Sequence, residues 1–238
     1  MRTGSFLIER PVGYNFAAML KSLIFDFDGL ILDTETPEFS VWQSIYRAHG
    51  QEISIQKWGQ VIGGTGASKF DAAQHLCDLT RDSLDVHSLR DQHNRRSNSL
   101  IEQQPILPGV VELLDEADRL NVSLAIASSS PHSWVDTHLG RLGLYNRFDK
   151  IVCADDVPPG RTKPNPDLFL LALEQLKVPK EAAVVLEDSP NGVKAAKSAG
   201  IFAVAVPNPT TSMLVFEGES LRVGSLADLK LSDLLGHF

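Results

Sequence analysis

Residues 23–35 read LIFDFDGLILDTE, and the fold turns on them. LIFDF, Leu23 to Phe27, is short, apolar and bounded by a turn at Gly29, the pattern of a strand buried on both faces. Strands of that kind belong to parallel sheets, whose crossovers lay helices over both faces. Four further runs have the same character: VSLAIA (122–127), IV (151–152), AVVLE (183–187) and FAVAV (202–206). Between them the apolar residues recur at helical spacing. Examples are Val110, Leu113, Leu114, Ala117 and Leu120; Trp134, Val135, His138, Leu139 and Leu142; and Leu168, Phe169, Leu171, Ala172 and Leu176. The alternation predicts an α/β fold, a Rossmann-like parallel sheet with helices on both faces.

The stretch between the first and second strands holds no comparable strand but several helical patterns. PEFSVWQSIYRAHG (37–50) opens on a helix-compatible proline and closes on glycine, with Phe39, Trp42, Ile45 and Tyr46 on one side. Trp42 and Tyr46 read as core packing. VIGGTGAS (61–68) is too glycine-rich for a helix and reads as a loop, and LPGV (107–110) marks the return to the sheet. The expected organisation is therefore an α/β core from residues 21–33 and 108–238, an inserted α-helical cap at 34–107, and an N-terminal extension at 1–20 outside the fold.

Composition narrows the function. With 30 acidic and 22 basic residues the formal charge is −8, which gives no general attraction to nucleic acid or anionic membrane. No apolar run nears the roughly 20 residues of a membrane span. In the first 20 residues, Glu9, Arg10 and Pro11 interrupt any signal-peptide core. Cys77 and Cys153 form no disulfide framework or metal pattern, and the seven histidines show no HxH or HxxxH spacing for zinc. A cytoplasmic, monomeric protein with a small diffusible partner is expected.

In open parallel sheets ligands bind at the carboxyl ends of the strands, so polar residues there carry the chemistry. Asp26 and Asp28 end the first strand two residues apart, on one side of it; mutual repulsion suits them to a Mg²⁺ site or to an acid–base couple. Ser128, Ser129 and Ser130 follow the second strand, ahead of a helix start, where they can hold a phosphate or cap the helix. Lys163, stiffened by Pro164 and Pro166, can supply a point charge to a phosphoryl group. Glu187 and Asp188 end the AVVLE strand, where a buried acid pair calls for a cation; Asp188 or Ser189 can also cap the next helix.

The order of these motifs, DFDGLILDTE, then ASSS, KPNPDLF and LEDSPNG, resembles the haloacid dehalogenase superfamily, and in particular its β-phosphoglucomutase-like phosphatase branch. The resemblance spans Leu23 to the C-terminus. It implies that Asp26 is the nucleophile, Asp28 the general acid/base, and Ser128 and Lys163 phosphoryl ligands. Mg²⁺ would be held by Asp26, Asp28 through its backbone carbonyl, and Asp188 with help from Glu187. Ser129, Ser130, Gly64 and Thr65 are expected to bind substrate as the cap loop closes over the site. His132 and Lys69 are weaker candidates for substrate contact.

The function so implied is hydrolysis of small phosphorylated metabolites, sugar phosphates foremost, through an aspartyl phosphate. The alternative is a β-phosphoglucomutase. Mutases of this branch carry a cap-entry histidine, where this chain has Glu38, and a cap-loop arginine that GGTGAS lacks. Phosphonate hydrolases use a cap lysine near the first strand, and none lies between Asp33 and Arg47. A phospho-accepting receiver domain gathers similar residues, but it is much shorter and has no use for an inserted cap. A non-catalytic binding protein would not need to keep both Asp26 and Asp28.

Overall fold

A computed structural model describes residues 20–64, 70–80 and 84–234. Six parallel strands form one sheet: β1 (Ser22–Phe25), β2 (Ser123–Ala127), β3 (Lys150–Val152), β4 (Ala183–Glu187), β5 (Phe202–Ala205) and β6 (Leu221–Arg222), in the order β3-β2-β1-β4-β5-β6. β1 is central, with Phe25 in register with Ile126 on β2 and Leu186 on β4. The order reverses at β1, and the crevice beyond its carboxyl end is where such sheets bind ligands.

Alternation along β1 explains why every residue of it is buried. Leu23 and Phe25 enter one core with Leu124, Ile126, Val184 and Leu186, while Ile24 enters the opposite core with Ala125, Val185 and Phe169. Helices α5 (Val110–Leu120) and α6 (His132–Leu142) cover the first face, and α7 (Asp167–Leu176) and α8 (Pro190–Ala199) the second. Burying side chains of this size stabilises the fold by roughly 1.5–3 kcal/mol each. Truncating Phe25 to alanine would cost about 3–5 kcal/mol.

Among the described residues, four helices lie between β1 and α5: α1 (Glu35–Ala48), α2 (Ile55–Trp58), α3 (Ala72–Thr80) and α4 (Val86–Ile101). They have their own apolar cluster, which includes Phe39, Trp42, Ile45, Tyr46, Trp58, Leu76 and Leu89. Trp42 and Tyr46 are thus packing residues, as expected. The Tyr46 hydroxyl donates to the Ala72 carbonyl at 2.7 Å, and Trp42 stacks on buried His93 with ring centroids 4.4 Å apart. The outgoing and returning chains meet where Leu32 bridges Ile106 and the Leu107 N–H donates to the Ile31 carbonyl at 2.9 Å.

Three local details differ from the sequence reading. α1 begins at Glu35, two residues before Pro37, because a proline in the first turn forfeits no intrahelical hydrogen bond. β6 is only two residues long, too short for an apolar run to announce it. Leu20, assigned to the extension, is 1% exposed and belongs to the main core.

Candidate active site

The site is built on the loops after β1, β2 and β4. Asp26 directly follows β1, held in line with the sheet by its N–H to the Leu186 carbonyl at 3.0 Å. Lys163, fully buried before α7, reaches Asp26 Oδ1 and Glu187 Oε1, each at 2.5 Å, with its ammonium 5.0 Å from the centre of the Phe169 ring. One buried cation therefore bridges two buried carboxylates, and their field raises its pKa against the opposing effect of burial. The other Glu187 oxygen accepts from the Ser189 N–H and hydroxyl.

Asp26, Glu187 and Asp188 place carboxylate oxygens within 4.8 Å of one another. Burial, then the neighbouring Asp26 carboxylate, pushes Glu187 up to about 7. The same two causes, with Glu187 added, push Asp188 well above the ordinary carboxylate range. Asp26 is raised too, by burial and by Asp28, with Lys163 opposing. Asp26 Oδ2 and Asp188 Oδ1 are buried without any hydrogen-bond partner. Hard oxygen donors left unpaired within such a cluster suit a divalent cation such as Mg²⁺.

Asp28 points elsewhere. Its carboxylate accepts from Ser130 Oγ at 2.6 Å, Ser128 Oγ at 3.4 Å and the Trp134 indole N–H at 2.8 Å. Its side chain is thus outside the three-carboxylate cluster, and only its backbone carbonyl remains available to a cation there. The serine loop is not a helix cap: Pro131 occupies the N-cap position of α6, and the His132 N–H is taken by Asp155 at 2.7 Å. Ser128 and Ser130 instead orient Asp28, while Ser129 Oγ donates to the Gly63 carbonyl at 3.0 Å and ties the inserted helices to the sheet. Ser189 does cap α8, accepting from the Gly192 N–H at 3.0 Å.

A cavity of about 420 Å³ opens over these groups. Asp26, Asp28, the three serines and Gly64 line it, joined by Thr34, Glu35, Glu38, Asn98 and Trp134. Gly64 lies so close to the core that a Cβ would stand 2.0 Å from the Lys163 carbonyl oxygen. Thr65 and Lys69 fall outside the described residues. His132 is paired with Asp156 at 2.8 Å and is not among the residues that line the cavity.

Trp134 and Asn208 were not anticipated as site residues. Asn208 Nδ2 donates to Asp188 Oδ2 at 2.8 Å and to the Gly29 carbonyl at 3.2 Å, and its Oδ1 accepts from the Thr210 and Thr211 N–H groups. Gly29 permits this arrangement, since its φ is +80° and a Cβ there would lie 2.2 Å from Asp188 Oδ2. A helical tryptophan and an asparagine among prolines carry no local mark of such roles.

A parallel sheet with buried carboxylates and one buried lysine at its carboxyl edge defines a class of phosphoryl-handling α/β enzymes, and the comparisons agree. Residues 23–206 match the family description "Haloacid dehalogenase-like hydrolase". YhcW of Bacillus subtilis (strain 168), a phosphatase by name, is 42% identical over 219 residues, covering 92% of this chain and 98% of that one. The phosphorylated carbohydrates phosphatase of Thermotoga maritima is 33% identical over 184 residues, 76% of this chain and 82% of the other. The crystal structure of a β-phosphoglucomutase from Clostridium difficile superposes with a TM-score of 0.70 at 25% identity, over 92% of this chain and 96% of that one. The chain belongs to the haloacid dehalogenase-like hydrolases, in their β-phosphoglucomutase-like branch, and is a phosphoric monoester hydrolase.

Proposed function

We propose that the chain is a Mg²⁺-dependent phosphatase of small phosphorylated sugars, working through an aspartyl phosphate on Asp26. The observation that carries this is the buried bridge of Lys163 between Asp26 and Glu187, beside unpaired oxygens on Asp26 and Asp188. The relative named for phosphorylated carbohydrates supports the substrate class. Residues 21–33 and 108–238 act as the catalytic core, and residues 34–107 as the cap.

Asp26, Glu187, Asp188 and the Asp28 carbonyl would hold the cation. When bound, it would neutralise phosphoryl oxygens and so let an anionic nucleophile approach a dianionic ester. Lys163 fixes Oδ1 of Asp26 and adds positive charge beneath the phosphoryl group. An Asp26 oxygen attacks phosphorus, the bond to the ester oxygen breaks, and Asp28 gives its proton to the departing alkoxide. Asp28, now anionic, takes a proton from water, which attacks the aspartyl phosphate, releases phosphate and restores Asp26. Hydrogen bonds from Ser130 and Trp134 hold the Asp28 carboxylate in place for both steps.

Phosphate release from p-nitrophenyl phosphate and a panel of sugar phosphates, with and without Mg²⁺, tests the proposal. Turnover is expected with the metal and not after exhaustive chelation; undiminished turnover in chelator would overturn the metal assignment. β-Glucose 1-phosphate with a bisphosphate primer separates the mutase, which would make glucose 6-phosphate faster than free phosphate.

A further inference from the structure

Beyond the reacting groups, the cavity contains a second set of polar side chains on the first turn of α1 and on α4: Thr34, Glu35, Glu38 and Asn98. Glu35 is only 7% exposed, and its carboxylate makes no hydrogen bond to the described residues. The Thr34 hydroxyl is buried without a partner. Acids in a first turn complement the helix dipole, but an exposed acid does so equally well without the cost of burial. Glu35 and Glu38 are three residues apart and so share a face of α1. The backbone there is held in place, since His93 Nε2 donates to the Glu38 carbonyl at 3.1 Å and Thr36 Oγ1 lies 3.0 Å from Thr210 Oγ1.

Among the described residues that line the cavity there is no lysine or arginine. Burial, Glu38 and Asp28 push Glu35 well above the ordinary carboxylate range, and burial with Asp28 pushes Glu38 up to about 7. A field that already drives protons onto its own carboxylates opposes a second ligand anion. The phosphoryl group has Lys163 to meet it, whereas the described residues at the far end offer two carboxyl groups, a hydroxyl and a carboxamide, and no cation.

We propose that Thr34, Glu35, Glu38 and Asn98 form the leaving-group subsite, which accepts hydrogen bonds from the hydroxyls of an uncharged polyol or sugar and rejects a leaving group bearing a second phosphate or a carboxylate. This rests on the phosphatase reading and deepens it. A site whose only ionisable groups are carboxyls binds hydroxyls and discriminates against groups that leave its polar atoms unpaired or face it with like charge.

Sorbitol 6-phosphate and 6-phosphogluconate test it, since these open chains match in length and differ at the distal end, a hydroxymethyl against a carboxylate. The wild-type kcat/KM is expected to favour the polyol by about tenfold or more, equivalent to about 1.4 kcal/mol. Glu38→Gln should lower that preference at least about threefold, whereas Glu38→Asp, which keeps the charge, should retain it. A wild-type ratio near one overturns the proposal whether or not the variant folds, and so does an unchanged ratio in folded Glu38→Gln. Failure of the phosphatase reading would show separately, as no phosphate release from p-nitrophenyl phosphate; calorimetric binding of the same two ligands then makes the same comparison.

Discussion

Lys163 has no solvent exposure and two carboxylate partners, so its removal strands both. Breaking a buried ion pair from one side costs about 3–5 kcal/mol, because the remaining charge has lost its compensation. Lys163→Ala should therefore lower stability by about that amount in urea unfolding, and reduce phosphate release at least tenfold. A stable variant within twofold of wild-type turnover would remove Lys163 from the mechanism. Asp26→Asn differs in kind. It removes one of several mutually repelling carboxylates and leaves Lys163 paired with Glu187, so the variant should melt close to wild type yet release no phosphate. Continued turnover would place the nucleophile elsewhere.

The loops between elements carry the precision of the site. The segment after β5 positions Asp188 through Asn208, joins α1 through Thr210, and sends Leu214 against the cluster of the inserted helices. Asn208→Ala would free the Asp188 carboxylate to turn. Magnesium affinity should then fall about tenfold or more, the usual consequence of losing a partner that orients a ligand. A magnesium-dependent thermal shift measures this independently of turnover, and an unchanged midpoint would reduce Asn208 to a loop brace. Gly64 sits so close to the core that even the methyl group of Gly64→Ala would meet the Lys163 backbone. That variant should lower kcat on small and large sugar phosphates alike by holding the loop off the core. A loss confined to large substrates would mean that the added methyl group fills substrate space instead.

At the scale of the whole molecule, the acids at the carboxyl edge of the sheet link stability to pH and to cations. Burial pushes Glu38 and Glu187 each up to about 7 in the folded chain, from an ordinary value of 4.5. Between those values the folded chain binds more protons than the unfolded chain. Their contribution to stability is therefore complete below about pH 4.5 and declines as pH rises through 7. Without divalent cations the melting temperature should fall between pH 5.5 and pH 8, with a shallower slope in Glu38→Gln. Mg²⁺ should raise it more at pH 8 than at pH 5.5, because it binds deprotonated Asp26, Glu187 and Asp188. An equal shift at both pH values would mean that these three acids are not its ligands.

Strands β1 to β5, helices α5 to α7 and the helical character of the insertion were legible in the sequence because their signals are local. Short apolar runs, glycine and proline punctuation and helical spacing each lie within a dozen or so residues. The serial order of DxD, serine, lysine and glutamate–aspartate also survives in one dimension, since each motif follows its own strand. Which carboxylates meet was settled only by the folded chain. Asp28 receives the Trp134 indole from 106 residues away, and Gly29 meets Asn208 across 179. Glu38 carries a sequence signal only as the residue at the mutases' cap-entry histidine position, and Glu35 carries none, until the helix that bears them is laid over the sheet. Packing β1 between β2 and β4 draws Lys163, Glu187 and Asp188 around Asp26 and turns the Asp28 side chain toward the serine loop, and that geometry exists only once the sheet has formed.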